Sequence, residues 1–216
     1  MNNLHPRRGR LALVASLFVL IALVWVAPAQ AQSFGGRAYS AYVNVPGPNR
    51  LVPGTGPLYI ADTGPTPPGG GWNGTGGGTV QVPNVLSANV PVAATAGLSY
   101  DNFTVDMADS STALADVTVL PGSPAQLTAA FVRAQSAVTG GVAPQGSSEI
   151  YALTFGGVPV AVTGQPNQQV EILGVATLII NEQTATASSI VVNALHLILA
   201  GGGEVILSSA SSAIAF

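Results

Sequence analysis

The sequence predicts an all-β protein: an antiparallel β-sandwich-like domain of about ten short strands with one long Gly/Pro-rich loop. Three observations carry this. Apolar and polar residues alternate with a period of two along most of the chain beyond residue 36. β-branched residues dominate those stretches, and the joints between them are rich in glycine. No segment has a convincing helical period. A β-solenoid or a closed barrel is the alternative, although no fixed repeat period supports a solenoid.

The first 31 residues read as an export leader. Arg7, Arg8 and Arg10 form a basic head, Leu11 to Val26 is a 16-residue run without charge, and Ala29-Gln30-Ala31 offers a small-x-small cleavage site. The run is shorter than the ~20 apolar residues of a kept anchor. Residues 32–216 are therefore expected to be secreted as one domain, with no stable transmembrane span after cleavage.

Arg37 to Val45 alternates as a strand. From Pro46 to Pro83, 19 of 38 residues are Gly or Pro, which predicts a long surface loop broken by a short strand at Leu58-Tyr59-Ile60. Further strands are expected at Phe103 to Met107, Ala113 to Leu120, Tyr151 to Phe155, Val158 to Thr163, Val175 to Glu182, Ile190 to Leu199 and Glu204 to Ser209. Phe155-Gly156-Gly157-Val158 predicts a tight hairpin, since two glycines accept positive φ. Gly201 to Gly203 predicts a second. Ser123-Pro124 could start a helix, but alternation from Leu127 to Ala134 favours a strand there.

Composition narrows the function classes. Cysteine is absent, which removes disulfides, thiolate metal sites and cysteine nucleophiles. Lysine is also absent. Beyond the leader three arginines face nine carboxylates, a formal charge of −6 on a nearly uncharged chain. Three scattered arginines cannot displace counterions along a phosphate backbone, so nucleic acid is not an expected partner.

Several candidate sites remain. Leu58 to Gly64 resembles the Asp-Thr-Gly loop of aspartic proteases, which need two carboxylates sharing a proton. No second such loop exists, and an Asp62 side chain closing its own turn explains the residues as well. His196 is the only histidine past the leader, no Gly-x-Ser-x-Gly elbow accompanies it, and it is expected to share a strand face with Ala194 and Ile198. Asp101, Asn102, Asp106 and Asp109, with Asp116 further on, could offer oxygen ligands to calcium, though not at EF-hand spacing. Trp72 among glycines is the best candidate for a sugar-stacking platform. Phe216 ends the chain as outer-membrane barrels often end, with Ile206 and Ile214 expected on one alternate face.

Gln165-Pro166-Asn167, Asn181-Glu182-Gln183, Asn193-Ala194-Leu195-His196 and Glu204 to Ala210 resemble the choice-of-anchor P family, as does the Asp62-Thr63-Gly64-Pro65 loop with its glycine tract. The resemblance implies a bacterial cell-envelope or extracellular protein and lends no catalytic residue. The chain departs from the pattern in lacking a C-terminal apolar helix, basic tail or sorting motif, which favours release or non-covalent attachment. The expected function is a non-catalytic structural or interaction protein without cofactor or metal, associating with envelope components or copies of itself. A glycan- or calcium-binding module using Trp72, Asp101, Asp106 and Asp109 is the alternative.

Overall fold

The structure is a computed structural model that describes residues 33–45, 57–100 and 105–215. Residues 1–32, 46–56 and 101–104, the last including the start of the expected strand Phe103 to Met107, and the C-terminal Phe216 lie outside the described residues. The described residues contain fourteen strands and no helix. They are β1 (Ser33–Asn44), β2 (Leu58–Asp62), β3 (Gly71–Gly76), β4 (Thr79–Val82), β5 (Leu86–Tyr100), β6 (Val105–Val119) and β7 (Leu127–Thr139). After them come β8 (Gln145–Tyr151), β9 (Thr154–Phe155), β10 (Val158–Pro159), β11 (Gln168–Ile172), β12 (Ala176–Ala185), β13 (Ser189–Leu199) and β14 (Glu204–Ala215).

All pairings are antiparallel. A six-stranded sheet runs β11-β12-β13-β14-β1-β2. An eight-stranded sheet runs β10-β9-β7-β6-β5-β3, with β4 also on β5 and β8 also on β7. The sheets face each other, β14 packing on β6 and β7 and β1 on β5 and β6, and they do not close into a barrel. The expected sandwich is what forms.

Three strand expectations need correction. The Gly/Pro-rich stretch is less of a loop than expected: the strand at Leu58-Tyr59-Ile60 forms as β2, and β3 and β4 form within 57–83 as well. Gly71 to Gly76 pairs with Gly97 to Val92 as an outer strand. Glycine is a poor strand former for entropic reasons, but it does not forbid a ladder. Second, β5 spans fifteen residues, where alternation is masked by Ala, Gly and Ser. Third, Val158 to Thr163 yields only the two-residue β10. The two hairpins form as expected, with Gly156 and Gly157 at φ 59° and 78°. Leu127–Thr139 is a strand, not a helix.

The six-stranded sheet has an unusual internal feature. Strand side chains alternate between faces, so buried residues should fall on every second position. Here each central strand holds buried residues in succession: Ser40–Ala41 in β1, Ile180–Asn181 in β12, Ala194–Leu195 in β13 and the four residues Leu207 to Ala210 in β14. Register places Ser40, Ser208, Ala194 and Asn181 side by side. Ser208 and Asn181 have φ of 54° and 52°, and Ala61 on β2 continues the row at 46°. A left-handed residue turns the peptide plane, so alternation resumes in the opposite phase. Every strand changes phase at one level, so the register survives.

The eight-stranded sheet does the same. Its inward positions are Leu86, Ala88, Val117, Val119, Leu127 and Ala129 on one side of the break. On the other they are Ala93, Thr95, Ala108, Ser110, Thr112, Leu114, Val132 and Ala134. Asp116, at φ 49°, and Ala130 opposite it mark the crossing. The breaks divide the interior. One half is apolar, with Val43, Leu127, Phe155, Leu178, Leu195, Leu197 and Leu207 buried. The other is seamed with hydroxyls.

In that second half Thr66, Thr95 and Ser110 share hydrogen bonds of 2.6 and 2.7 Å, and Ser110 Oγ donates to the Ser211 carbonyl. Ser40 Oγ donates to the Val92 carbonyl, and Ser208 Oγ to the Val132 carbonyl. Ser212 Oγ donates to the Ser136 carbonyl. A serine reaching a carbonyl of the facing sheet brings the backbones nearer than the ~10 Å of ordinary stacked sheets. Glycine permits the approach: a Cβ on Gly97 would lie 2.6 Å from Phe34 Cβ.

Gly97→Ala is therefore expected to cost about 1–3 kcal/mol by overpacking. Gly201→Ala, where a Cβ meets nothing within 4 Å, is the control. Urea unfolding of both variants measures the difference, and equal midpoints would refute the close approach.

Candidate functional site

The phase break decides which side chains reach the outer faces. On β13 it leaves Asn193 and His196 outward, three residues apart, with Ala194 and Leu195 both inward. His196 therefore does not share a face with Ala194, as simple alternation requires. Ile206 and Ile214 are separated likewise: Ile214 is buried, and Ile206 stands outside beside His196.

Glu182 on β12 faces both outward residues. Its Oε2 accepts from Asn193 Nδ2 at 2.6 Å and lies 3.0 Å from His196 Nδ1. The other ring nitrogen, Nε2, lies 2.9 Å from Glu204 Oε2 on β14. Burial pulls the His196 pKa down, but hydrogen bonds to Glu182 and Glu204 outweigh it and raise it above 6.5. The His196 bond also holds the Glu182 carboxyl below its ordinary value. Asn181 and Gln183 serve the interior instead. Asn181 Nδ2 donates to the Gly164 carbonyl, and Gln183 Nε2 donates to Asn181 Oδ1 and to the Gly146 carbonyl of the facing sheet.

The same outer face continues onto β14, β1 and β2. Arg37 donates to both carboxylate oxygens of Asp62, through Nε at 2.8 Å and Nη2 at 2.6 Å. Its guanidinium lies 4.3 Å from the Tyr59 ring centroid; Tyr39 meets Tyr59 edge on, and Tyr42 packs on Tyr59 at a tilt. Asp62 Oδ1 also accepts from Gly64 N, so the carboxylate closes its own turn. The Arg37 hydrogen bonds hold its pKa below 3.8. A carboxylate held ionised by a bidentate guanidinium is poorly suited to share a catalytic proton.

The outer face of the eight-stranded sheet is different in kind. Its floor is small: Gly74, Ala94, Ser111 and Ala113 occupy neighbouring outward positions of β3, β5 and β6. Trp72 stands at one side, 68% exposed. Its indole lies over Gly74, where a Cβ would meet ring carbons at 2.3 Å. Phe131 and Arg133 on β7 form the other side, with the Tyr151 ring 6.0 Å from Phe131. Arg133 lies 3.6 Å from Glu149. The trough between them has a volume of about 910 Å³. It adjoins a polar hollow of about 300 Å³ with Asp109, Gln135, Gln145 and Ser147 on its walls, Ser111 being common to both.

Trp72 is thus on a strand, not in a free loop. Asp109 points outward beside the trough, whereas Asp106 sits three positions earlier on the opposite phase of β6. Asp116 stands at the phase break, accepting from Asn89 Nδ2. Asp101 lies outside the described residues. Among the described residues no group of three or more His, Asp or Glu side chains is placed to hold a metal ion. Phe131, Arg133, Ser111 and Gln135 escaped the sequence because uniform alternation puts Phe131 and Arg133 on the face of Leu127, which is buried. The phase break at Ala130 turns them out.

No protein-family model matches the chain, and no curated protein is similar to it.

A histidine whose folded pKa is raised contributes stability below about 6.5, lost as pH rises through the folded value. The depressed Glu182 contributes above about 4.5 and loses it in acid. His196→Gln should thus cost about 1 kcal/mol near pH 5.5 and clearly less near pH 9. Urea unfolding of both proteins at the two pH values tests this, and an equal cost at both would refute the ion network.

Proposed function

We propose that this is an exported, non-catalytic interaction protein of the bacterial cell exterior, acting through the outer face of its eight-stranded sheet. The observation that carries this is the open trough with Trp72 held exposed across Gly74. With Val92 and Tyr151, also exposed, Trp72 makes an apolar patch on this face, and such patches mark interaction surfaces. The leader-like first 31 residues support the location. The resemblance to choice-of-anchor P proteins, which we retain as a proposal, points to the same place.

Two features support a non-catalytic role. Both ring nitrogens of His196 face carboxylates, so neither is aimed at a nucleophile. Asp62 is committed to Arg37. The partner is an envelope component or a second copy of the chain. Val175 to Ile180 and Ile190 to Val192 are β-prone and uncharged, but β12 and β13 are paired on both sides, so a partner meets the outer face and not these strands.

Two outcomes are expected when the full chain is expressed in a bacterial host. N-terminal sequencing of the exported protein should begin at Gln32; a retained Met1 would refute the leader. The exported protein should co-sediment with envelope preparations or scatter light as an oligomer. Trp72→Ala with Phe131→Ala should abolish that behaviour, and His196→Ala should leave it intact. A strict monomer that stays in the supernatant would refute the proposal.

A further inference from the structure

We infer that the trough and the hollow beside it form one elongated site for a neutral glycan chain. This rests on the proposal that this face is the working surface and names the ligand class.

The site changes chemistry along its length. At one side stands the indole of Trp72, lying against Gly74 and largely exposed. A sugar ring has an apolar face of axial C–H groups, and a pre-oriented aromatic plane binds it at little entropic cost. Towards β8 the surface becomes hydrogen-bonding: Ser111, Gln135, Gln145, Ser147 and Asp109. Amides and carboxylates can engage two neighbouring hydroxyls at once, the arrangement repeated along every sugar. From β3 to β7 the trough crosses three interstrand steps, roughly 14 Å. That length exceeds a single sugar ring, so a chain is the fitting occupant.

Charge argues for a neutral chain. Arg133 is offset by Glu149 at 3.6 Å, and Asp109 has no ion-pair partner among the described residues. The face therefore carries a net negative charge and disfavours polyanions such as uronate chains or nucleic acid. The floor suits a sugar chain as well: Gly74, Ala94, Ser111 and Ala113 are small and neighbouring, so a long ligand can lie across them between Trp72 and Phe131.

Trp72 is the only tryptophan beyond the leader, so intrinsic fluorescence of the exported protein reports on this site alone. The protein is titrated with cellohexaose, mannohexaose, chitohexaose and polygalacturonate, by fluorescence and by calorimetry. At least one neutral hexasaccharide should quench or shift the emission and bind at least tenfold more tightly than its monosaccharide. Gly74→Ala should weaken that binding at least tenfold, because the added methyl displaces the indole, while its urea midpoint stays at the parent value. Phe131→Ala should weaken it as well, and His196→Gln, on the outer face of the other sheet, should leave it unchanged. Binding only by polygalacturonate overturns the inference. Equal binding of mono- and hexasaccharide overturns the elongated site. If no saccharide binds but Trp72→Ala with Phe131→Ala still abolishes envelope co-sedimentation, the ligand is not a glycan and the working surface stands. If co-sedimentation is also insensitive, both ideas fall.

Discussion

The constraint on which the rest of the molecule depends is the synchronised change of phase across each sheet. A strand that changes phase alone loses its register with both neighbours. Here β12, β13, β14 and β1 change together at Asn181, Ala194, Ser208 and Ser40. Left-handed backbone costs on the order of 1 kcal/mol or more for a residue with a Cβ. The row is held by what it meets across the sandwich. Ser208 and Ser40 give their hydroxyls to carbonyls of β7 and β5, just beyond the break in the facing sheet. Asn181 is braced by Gly164 and Gln183. Each such hydrogen bond contributes about 1 kcal/mol net and would cost more if left unmade.

Two different interiors follow. Where the sheets stand apart, Leu and Val fill the gap in the usual way. Where they approach, Leu would not fit, and Ser, Thr, Ala and Gly take its place. Buried hydroxyls are tolerated because facing carbonyls receive them. This also accounts for a sequence so rich in small polar residues: many of them are core. The same phase change leaves Asn193 and His196 outward at a spacing of three, beside Glu182, and turns Phe131 and Arg133 together onto the outer face of the other sheet.

What was legible in the sequence follows from this geometry. The sandwich, the Phe155-Gly156-Gly157-Val158 hairpin, the strand from Leu127 and the Asp62 turn could be read because each depends on local chemistry. β5 could not: Ala93, Ala94, Thr95, Ala96 and Gly97 give no contrast between faces, although Ala93 and Thr95 are buried and Ala94 is not. Placement of His196, Ile206 and Phe131 failed for one shared reason. Period-two counting carries a side chain to the wrong face once it crosses an unmarked phase break, and nothing in Ala194-Leu195 or Ala130-Phe131 announces one. Trp72 could be singled out by its isolation, but the partners across the trough lie on strands whose phase was hidden.

The chain also solves the edge problem without lysine. Unpaired strand edges recruit further strands, and charge is the common deterrent. Here edges are blunted by length and by backbone chemistry. β2 and β11 bound the six-stranded sheet with five residues each. The eight-stranded sheet ends in the two-residue β10, which closes on Pro159, and in β3, where three of six residues are glycine; the four-residue β4 and the seven-residue β8, which carries Glu149, are edges as well. Proline removes the donor and glycine weakens the strand. The long, β-prone segments of β12 and β13 are enclosed between neighbours, where their hydrogen bonds are already used. Short edges and an enclosed interior leave the broad faces as the surfaces open to a partner, and of the two, the face of the eight-stranded sheet holds its aromatic ring away from the protein's own charges.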